Sequence, residues 1–181
     1  MAEPAVITIG NGCFWCTEAI FQQVAGVISV ISGYSGGEMA HPDYETVCTG
    51  VTGHAECLQI TYDPAVVSLK ELLEIFFETH DPTTLNRQGN DVGSQYRSVI
   101  FYHGEEEKKT AADYIIALEQ QKKYNDPIVT TLEPYSKFYP AENYHLDYYN
   151  KHGIAPYCQF VIKPKVQKFK KQFGDKLKVT S

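Results

Sequence analysis

Hydrophobic positions along the chain switch between two periodicities, which predict a succession of strands and helices. Apolar, β-branched or alternating runs predict strands over residues 5–9, 27–34, 56–62, 98–103 and 128–132. Apolar residues at helical spacing predict helices over residues 17–24, 69–79 and 105–123. Because these helices do not strictly alternate with the strands, the order favours an α+β sandwich over a doubly wound parallel sheet.

Two of the predicted helices carry end signals. Ser68 lies just before the helix at 69–79, and Glu71 occupies its third position, which is the arrangement of a capping box. Asp81 and Pro82 then end that helix. The helix at 105–123 starts with acidic residues and ends with lysines, as the helix dipole favours.

Length and composition predict one globular domain over residues 1–181, since 181 residues with 43% hydrophobic content can bury one substantial core. The last part, residues 163–181, is basic and lightly amphipathic, and it predicts a solvent-exposed helical tail. The net charge of −6 argues against general nucleic-acid binding. No apolar run is long enough for a membrane span or for export, so we expect a cytoplasmic monomer without a membrane partner.

The segment GCFWC, at residues 12–16, is the most informative motif. A glycine turn between the first strand and the first helix would place Cys13 at the helix N-terminus, where the dipole favours the thiolate. Cys16 falls one turn later, at a spacing that suits a disulfide. The motif therefore indicates a redox-active or nucleophilic thiol. Two buried core cysteines, or half of a zinc site, are alternatives at this point.

Three loop segments carry a second group of candidate residues. They are HPDY at 41–44, GHAE at 53–56 and DVGSQYR at 91–97, and each is a plausible rim of one cleft. Glu56 is the best candidate for a proton donor, because a partly desolvated cleft raises a carboxyl pKa. Tyr44 and Tyr96 can donate hydrogen bonds to a polarised oxygen. On the residues alone, an exposed glutamate and two packing tyrosines are also open interpretations.

Together with their neighbours, these motifs resemble the A-type peptide methionine sulfoxide reductases. The resemblance rests on GCFWC followed by TEAIF, GYSGG followed by HPDYETVCTGVTGHAE, THDPTTLNRQGNDVGSQYRS and FYPAENYH, in this order between residues 7 and 157. It implies reduction of the S epimer of methionine sulfoxide, free or within proteins. It also implies an α+β fold with a mixed sheet, a two-layer sandwich with a ferredoxin-like core, and no metal or flavin cofactor.

The resemblance assigns roles to the residues at matching positions. Cys13 is expected to attack the sulfoxide sulfur, and Glu56 to give a proton to the sulfoxide oxygen. Tyr44 and Tyr96 are expected to hydrogen-bond that oxygen, and Asp91 to help order the site. The products are then methionine and a sulfenic acid on Cys13.

The aromatic residues after the nucleophile are expected to bind the substrate. Phe14 and Trp15 would form an apolar pocket for the methyl group, which distinguishes it from the oxygen on the tetrahedral sulfur. One departure from the family pattern lies further along, where Leu146 follows His145 in place of the usual glutamine.

Two cysteines compete to resolve the sulfenic acid. Many family members have glycine where this chain has Cys16, and this departure makes Cys16 the first choice. A disulfide across one helical turn is strained and readily reduced by thioredoxin, the expected reductant. Cys158 is the alternative, since some family members place a resolving cysteine near the C-terminus, and the two can also act in relay. Cys48 and Cys57 are predicted to be core residues.

Three other functions stay open on the sequence. A general dithiol-disulfide oxidoreductase needs only Cys13 and Cys16, but it leaves Glu56 and the two tyrosines unexplained. A cysteine hydrolase would use His54 or His145 as its base. A zinc-bound interaction module would need a second closely spaced cysteine pair, which the sequence lacks.

Overall fold

A mixed β-sheet forms the centre of the structure, a computed structural model that describes residues 3–178. Within these residues there are eight strands: β1 Ala5–Asn11, β2 Val27–Ser35, β3 Ala55–Tyr62, β4 Arg87–Gln88, β5 Asp91–Val92, β6 Ser98–Tyr102, β7 Thr131–Pro134 and β8 Phe138–Pro140. Six of them form the main sheet in the order β7-β6-β1-β3-β2-β8, and β4 pairs with β5 as a small separate ribbon. Neighbouring strands are antiparallel except β6 and β7, which are parallel.

The same part of the chain forms six α-helices: α1 Phe14–Phe21, α2 Tyr44–Cys48, α3 Leu69–Glu78, α4 Glu105–Gln120, α5 Tyr148–Lys151 and α6 Lys163–Gln172. Short 3-10 turns cover Ser94–Tyr96, Asn143–His145 and Gly174–Lys176, and a π-helical turn covers Cys158–Ile162. The fold is therefore α+β with a mixed sheet, as the sequence predicts. No helix among the described residues is long and apolar enough to cross a membrane.

The predicted capping box of α3 is present. Ser68 Oγ accepts a hydrogen bond from the Glu71 amide at 3.1 Å, and Glu71 Oε1 accepts one from the Ser68 amide at 3.3 Å. The helix buries one apolar face, formed by Leu72, Leu73, Ile75, Phe76 and Phe77. Full burial of such a side chain contributes about 1.5–3 kcal/mol relative to exposure, so this face fixes α3 against the sheet.

Both faces of the sheet are covered by apolar side chains. Alternate residues of the strands and the inner faces of the helices form the main core, which includes Ile7, Ile60, Ala19, Phe76 and Phe169. The opposite face carries a smaller cluster of Ala55, Cys57, Val99 and Phe101, against which Tyr135 and Phe138 pack. The two clusters hold β1, β3 and β6 rigidly, and the strand ends therefore give fixed positions for the residues that follow them.

The C-terminal segment is helical, as predicted, but it is not a solvent-exposed tail. Val166 and Phe169 of α6 and Phe173 after it are buried within the main core. Leu177 also forms a β-bridge with Val24. One apolar face of a lysine-rich helix is enough to dock it while the lysines stay in solvent. Residues 179–181 of the predicted tail lie outside the described residues.

Predicted and observed elements agree in type and differ at their ends. The first helix begins at Phe14 rather than at residue 17, because Cys13 is its N-cap residue. The strand predicted at 128–132 is observed as β7, at Thr131–Pro134. The sequence patterns do not predict β8, α2 or α5, because elements of three to five residues have too few positions to show a periodicity.

Candidate active site

The turn between β1 and α1 positions the thiol motif. β1 ends at Asn11, and Gly12 has a φ of 110°, in the left-handed region that favours glycine. A Cβ on Gly12 would lie 2.9 Å from a side-chain carbon of Gln88, so the turn has no room for a larger residue. Cys13 is then the N-cap residue of α1, and the Thr17 hydroxyl ties the helix to Asn11 by donating to its Oδ1 at 2.6 Å.

The Cys13 side chain is buried, with 8% of the residue's surface exposed. Burial raises the pKa of the Cys13 thiol well above its usual value, and the hydrogen bond with Cys16 and the negative charge of Glu56 act in the same direction. Burial therefore opposes the effect of the helix N-terminus, which favours the thiolate. Removing the charge from water costs more than the helix dipole supplies.

Glu56 reaches the same turn from β3. Its Oε1 accepts a hydrogen bond from the Phe14 amide at 3.1 Å, and this satisfies an N-terminal amide of α1 to which Cys13 gives no side-chain cap. Its Oε2 is buried without a hydrogen-bond partner in the described part of the chain. Burial raises the pKa of Glu56 to about 8, despite the hydrogen bond from Phe14. Glu56 therefore holds a proton at neutral pH.

Two tyrosines from separate loops lie near Glu56. Tyr44 is the first residue of α2, whose N-terminus is closed by a capping box. Tyr96 is the last residue of a 3-10 turn just before β6. Both are half-buried, and burial together with the negative charge of Glu56 raises the pKa of each hydroxyl. Both therefore stay protonated and able to donate hydrogen bonds at physiological pH.

Asp91 is joined to the site by Tyr157, a residue to which the sequence motifs assign no role. The Tyr157 hydroxyl donates a hydrogen bond to Asp91 Oδ2 at 2.7 Å. The same hydroxyl lies close to the Cys13 thiol, and burial followed by the negative charge of Cys13 raises its pKa. Tyr157 thus links Asp91 to Cys13 from the C-terminal part of the chain. Its place next to Cys158 is the one signal in the sequence that points to it.

Phe14 and Trp15 form an aromatic cluster beside the thiol turn. Phe14 is fully buried, and its ring centroid lies 5.7 Å from that of Tyr34. Trp15 is stacked on Tyr148, with a centroid distance of 3.8 Å and an interplanar angle of 8°. Its Nε1 donates a hydrogen bond to His145 Nδ1 at 3.0 Å. Tyr148 and His145 support this cluster from distant positions in the chain, so no local sequence pattern predicts their part in it.

All five cysteines are free thiols, and three of them share the main core cluster. These three are Cys13, Cys16 and Cys158. The Cys16 amide donates to the Cys13 carbonyl oxygen at 3.1 Å within the first turn of α1. Cys158 is fully buried and starts the π-helical turn before α6. The structure thus brings both candidate resolving cysteines to the same region as Cys13.

The remaining two cysteines differ from each other. Cys57 is buried, as predicted. The prediction is wrong for Cys48, which is exposed at the end of α2. This helix has a single turn and buries Val47, and so it directs the next residue to solvent.

The two histidines proposed as hydrolase bases have other partners. His54 accepts a hydrogen bond from the Gly37 amide at 3.0 Å, and its second ring nitrogen lies 2.7 Å from the Met39 carbonyl oxygen. His145 accepts from an indole at Nδ1, so its Nε2 carries the proton and cannot take one from Cys13. Among residues 3–178, no three His, Cys, Asp or Glu side chains are grouped to hold a metal ion.

Comparisons with known proteins agree with these motifs. A model of the family described as peptide methionine sulfoxide reductase matches residues 5–177. The chain is 59% identical over 174 residues to a peptide methionine sulfoxide reductase MsrA of Saccharolobus solfataricus, and the match covers 96% of this chain and 97% of that protein.

Solved structures of Mxr1 from Saccharomyces cerevisiae are also similar. The reduced form matches with a TM-score of 0.80 and 38% identity, over 86% of this chain and 90% of that chain. A complex of the same yeast protein with Trx2 matches with a TM-score of 0.57 and 30% identity, over 81% of this chain and 85% of that chain. The chain therefore belongs to the peptide methionine sulfoxide reductase family, and it is an enzyme of the MsrA type.

Proposed function

We propose that the enzyme reduces the S epimer of methionine sulfoxide, free or within proteins, to methionine through a sulfenic acid on Cys13. The observation that carries this proposal is the state of Glu56. Its carboxyl is buried with a pKa of about 8, one oxygen is fixed by the Phe14 amide, and the other has no partner among the described residues. A sulfoxide oxygen is a poor leaving group until it is protonated or firmly hydrogen-bonded, and Glu56 supplies that proton at neutral pH.

The reaction moves one oxygen atom from the substrate sulfur to Cys13. Cys13 Sγ attacks the sulfoxide sulfur as Glu56 gives its proton to the sulfoxide oxygen. This attack forms a transient bond between Sγ and the substrate sulfur. The hydroxyl group then passes from that sulfur to Sγ, so the sulfur–oxygen bond and the transient sulfur–sulfur bond both break and leave the Cys13 sulfenic acid and the thioether of methionine. The thiol proton restores the acid form of Glu56. A thiol and a sulfoxide are thus converted to a sulfenic acid and a thioether, with no other reactant.

Donors and aromatic rings surround the reacting sulfur. On the oxygen side of the pocket, Tyr44 and Tyr96 hydrogen-bond the oxygen as negative charge develops on it. On the methyl side, Phe14 and Trp15 hold the methyl group, for which an apolar pocket has more affinity than for the oxygen. The sulfoxide oxygen and the methyl group therefore each have a fixed place in the pocket. With both in place, only one of the two epimers can turn its sulfur towards Cys13 while the rest of the substrate stays outside the pocket.

Asp91 orders the site through Tyr157. The 2.7 Å hydrogen bond holds the tyrosine hydroxyl near the Cys13 thiol in the resting protein. A substrate that reaches Cys13 displaces or shares this hydroxyl. Asp91 keeps the ring in place while that exchange occurs.

Cys16 is proposed as the cysteine that resolves the sulfenic acid. It lies in the first turn of α1, where its amide donates to the Cys13 carbonyl oxygen at 3.1 Å, and its thiol is close enough to that of Cys13 to affect its pKa. Condensation of the two releases water and forms a disulfide. Cys158 packs in the same buried cluster, which suits a second thiol in a relay or an alternative to Cys16. Thioredoxin then reduces the disulfide, and the complex of the related Mxr1 with Trx2, a thioredoxin, supports this reductant.

The proposal extends to the finer features of the fold and to the cellular setting. β1, α1, β2, β3, α3 and β6 follow the β-α-β-β-α-β order of a ferredoxin-like sandwich, which supports such a core. Five free thiols suit the reducing cytoplasm. The enzyme acts there as a monomer without a cofactor, since residues of this one chain supply every group that reacts with the sulfoxide.

The test is the amount of methionine formed from the separate S and R epimers of methionine sulfoxide, with dithiothreitol as reductant. Wild type is expected to convert only the S epimer. Cys13→Ser is expected to lose at least about a thousandfold in activity, because a serine hydroxyl is a far weaker nucleophile at neutral pH. Cys57→Ser, in the apolar cluster on the opposite face of the sheet, is the matched control and is expected to retain activity.

One outcome would overturn the proposal. If folded, reduced wild type converts neither epimer but reduces the disulfides of insulin, the protein is a general dithiol-disulfide oxidoreductase. Glu56 and the two tyrosines on the oxygen side would then need another explanation.

A further inference from the structure

The 142–145 turn, which follows β8, carries two polar side chains that the proposed reaction does not use. β8 pairs with β2, so the turn is attached to the edge of the main sheet. Glu142 contacts the backbone of Tyr44, and His145 contacts the side chain of Trp15. One short turn therefore touches both the oxygen side and the methyl side of the proposed pocket.

Glu142 accepts three hydrogen bonds. Its Oε1 accepts from the Tyr34 hydroxyl at 2.9 Å, and its Oε2 accepts from the Tyr44 amide at 3.0 Å and from the Tyr144 hydroxyl at 3.2 Å. Burial opposes ionisation of Glu142, but these hydrogen bonds outweigh it and hold its pKa below the usual value. The carboxylate thus joins β2 to Tyr44, the first residue of α2. The hydroxyl of this tyrosine is the one assigned to the oxygen side of the proposed pocket.

His145 is 1% exposed and has one defined tautomer. An indole N–H only donates, so the 3.0 Å bond from Trp15 requires His145 Nδ1 to be the acceptor and Nε2 to carry the proton. Burial lowers the pKa of His145, which keeps the ring neutral at physiological pH and Nδ1 able to accept. The ring centroid also lies 4.6 Å from that of Tyr44 and 5.1 Å from that of Phe14.

We propose that Glu142 and His145 are positioning residues that fix the two sides of the sulfoxide pocket relative to each other. This inference rests on the proposed function. Glu142 sets the position of Tyr44, and His145 sets the plane of Trp15. Because both come from one turn on a sheet strand, the distance between hydrogen-bond donor and methyl pocket is set by rigid structure. That distance governs how well one epimer fits.

The His145 part is tested with Trp15 fluorescence, since Trp15 is the single tryptophan of the chain. His145→Phe keeps a ring but removes the acceptor, whereas His145→Asn places an amide oxygen near the position of Nδ1. We expect His145→Phe to shift the emission maximum, raise KM for the S epimer and lower kcat/KM about tenfold. His145→Asn is expected to restore both readouts most of the way. His103→Phe, stacked on Tyr135 away from the pocket, is the matched control.

A double-mutant cycle separates positioning from general destabilisation. In a Trp15→Phe background the indole donor is gone, so His145→Phe is expected to change kcat/KM by less than about twofold further. A full additional loss in that background, or unchanged emission and kcat/KM in His145→Phe alone, would overturn the assignment of His145. Absence of sulfoxide turnover in wild type would instead reject the proposed function, and the emission shift would still report the bond.

The Glu142 part is tested with Glu142→Gln. The amide has one acceptor oxygen, and its NH2 group cannot accept from any of the three donors, so at least one loses its partner. We expect kcat for the S epimer to fall about tenfold with KM changed less than about twofold, and no further loss in a Tyr44→Phe background. Glu45→Gln, on the exposed side of α2, is the control. A kcat of Glu142→Gln within about twofold of wild type would contradict the assignment.

Discussion

At the scale of a residue, the account depends on the two oxygens of Glu56, which have different environments. Oε1 is held by the Phe14 amide, so the carboxyl cannot rotate away. Oε2 is buried without a hydrogen-bond partner in the described chain, so a negative charge on it would be stabilised only by a proton or a bound substrate. This difference explains how one carboxyl is both fixed in place and protonated near neutral pH.

The first prediction concerns the protonation of Glu56. Burial raises its pKa to about 8, so the acid form is present below pH 8 and is lost as the pH rises through that value. Infrared difference spectra of wild type against Glu56→Gln are expected to show a protonated carboxyl band at pH 6–7 that disappears above pH 8. The bands of Glu18 and Glu107, whose pKa values burial also raises, cancel in this difference.

The same variant tests the chemistry. Glu56→Gln donates a hydrogen bond but no proton, so kcat with the S epimer is expected to fall about 100-fold to 1,000-fold. A carboxyl that titrates near its ordinary value of 4.5, or a variant with unchanged kcat, would remove Glu56 as the proton donor.

At the scale of the elements, the start of α1 brings the thiols and the carboxyl together. Cys13 gives α1 no side-chain cap, and Glu56 from β3 accepts from the first helical amide instead. β1 and β3 are adjacent in the sheet, with Ile9 opposite Leu58, so their ends hold the proposed nucleophile and the proposed acid in fixed register. The catalytic arrangement is thus a consequence of strand pairing and helix capping.

The second prediction separates the two resolving candidates on α1 and on the π-helical turn. Cys16→Ser is expected to form one methionine per enzyme but to lose at least about tenfold in thioredoxin-driven turnover, because the sulfenic acid loses the thiol on its own helical turn. Cys158→Ser is expected to keep at least about half of that turnover. The readout is the amount of methionine released with dithiothreitol and with thioredoxin as the reductant. Full thioredoxin-driven cycling by Cys16→Ser, with loss in Cys158→Ser, would move the resolving role to Cys158.

At the scale of the whole molecule, the C-terminal third closes the site that the N-terminal part builds. Tyr157 reaches Asp91 across 66 positions of sequence, and the 142–145 turn reaches Trp15 across 130. α6 secures this segment by burying Val166 and Phe169 in the main core. The proposed pocket therefore depends on the docking of the last helix as well as on the motifs near the N-terminus.

This distribution explains which parts of the structure follow from the sequence. The α3 capping box and the glycine turn before Cys13 depend on neighbouring residues, so local patterns predict them. The support given by Tyr157 and Glu142 depends on contacts between distant segments, and no periodicity contains that information. The state of the Cys13 thiol does not follow from the sequence for a related reason, because a motif gives its place at a helix end but not how deeply the fold buries it.

The most direct test of the central claim is the mass of the Cys13 peptide after one turnover. A Cys16→Ser, Cys158→Ser double variant, without reductant, would be mixed with the S epimer, and both methionine and the peptide would be measured. The account predicts one methionine per enzyme and one oxygen atom added to Cys13. This oxygen is present as a sulfenic acid, which a trapping reagent converts to an adduct of known mass. Methionine formed while Cys13 stays unoxidised would contradict it.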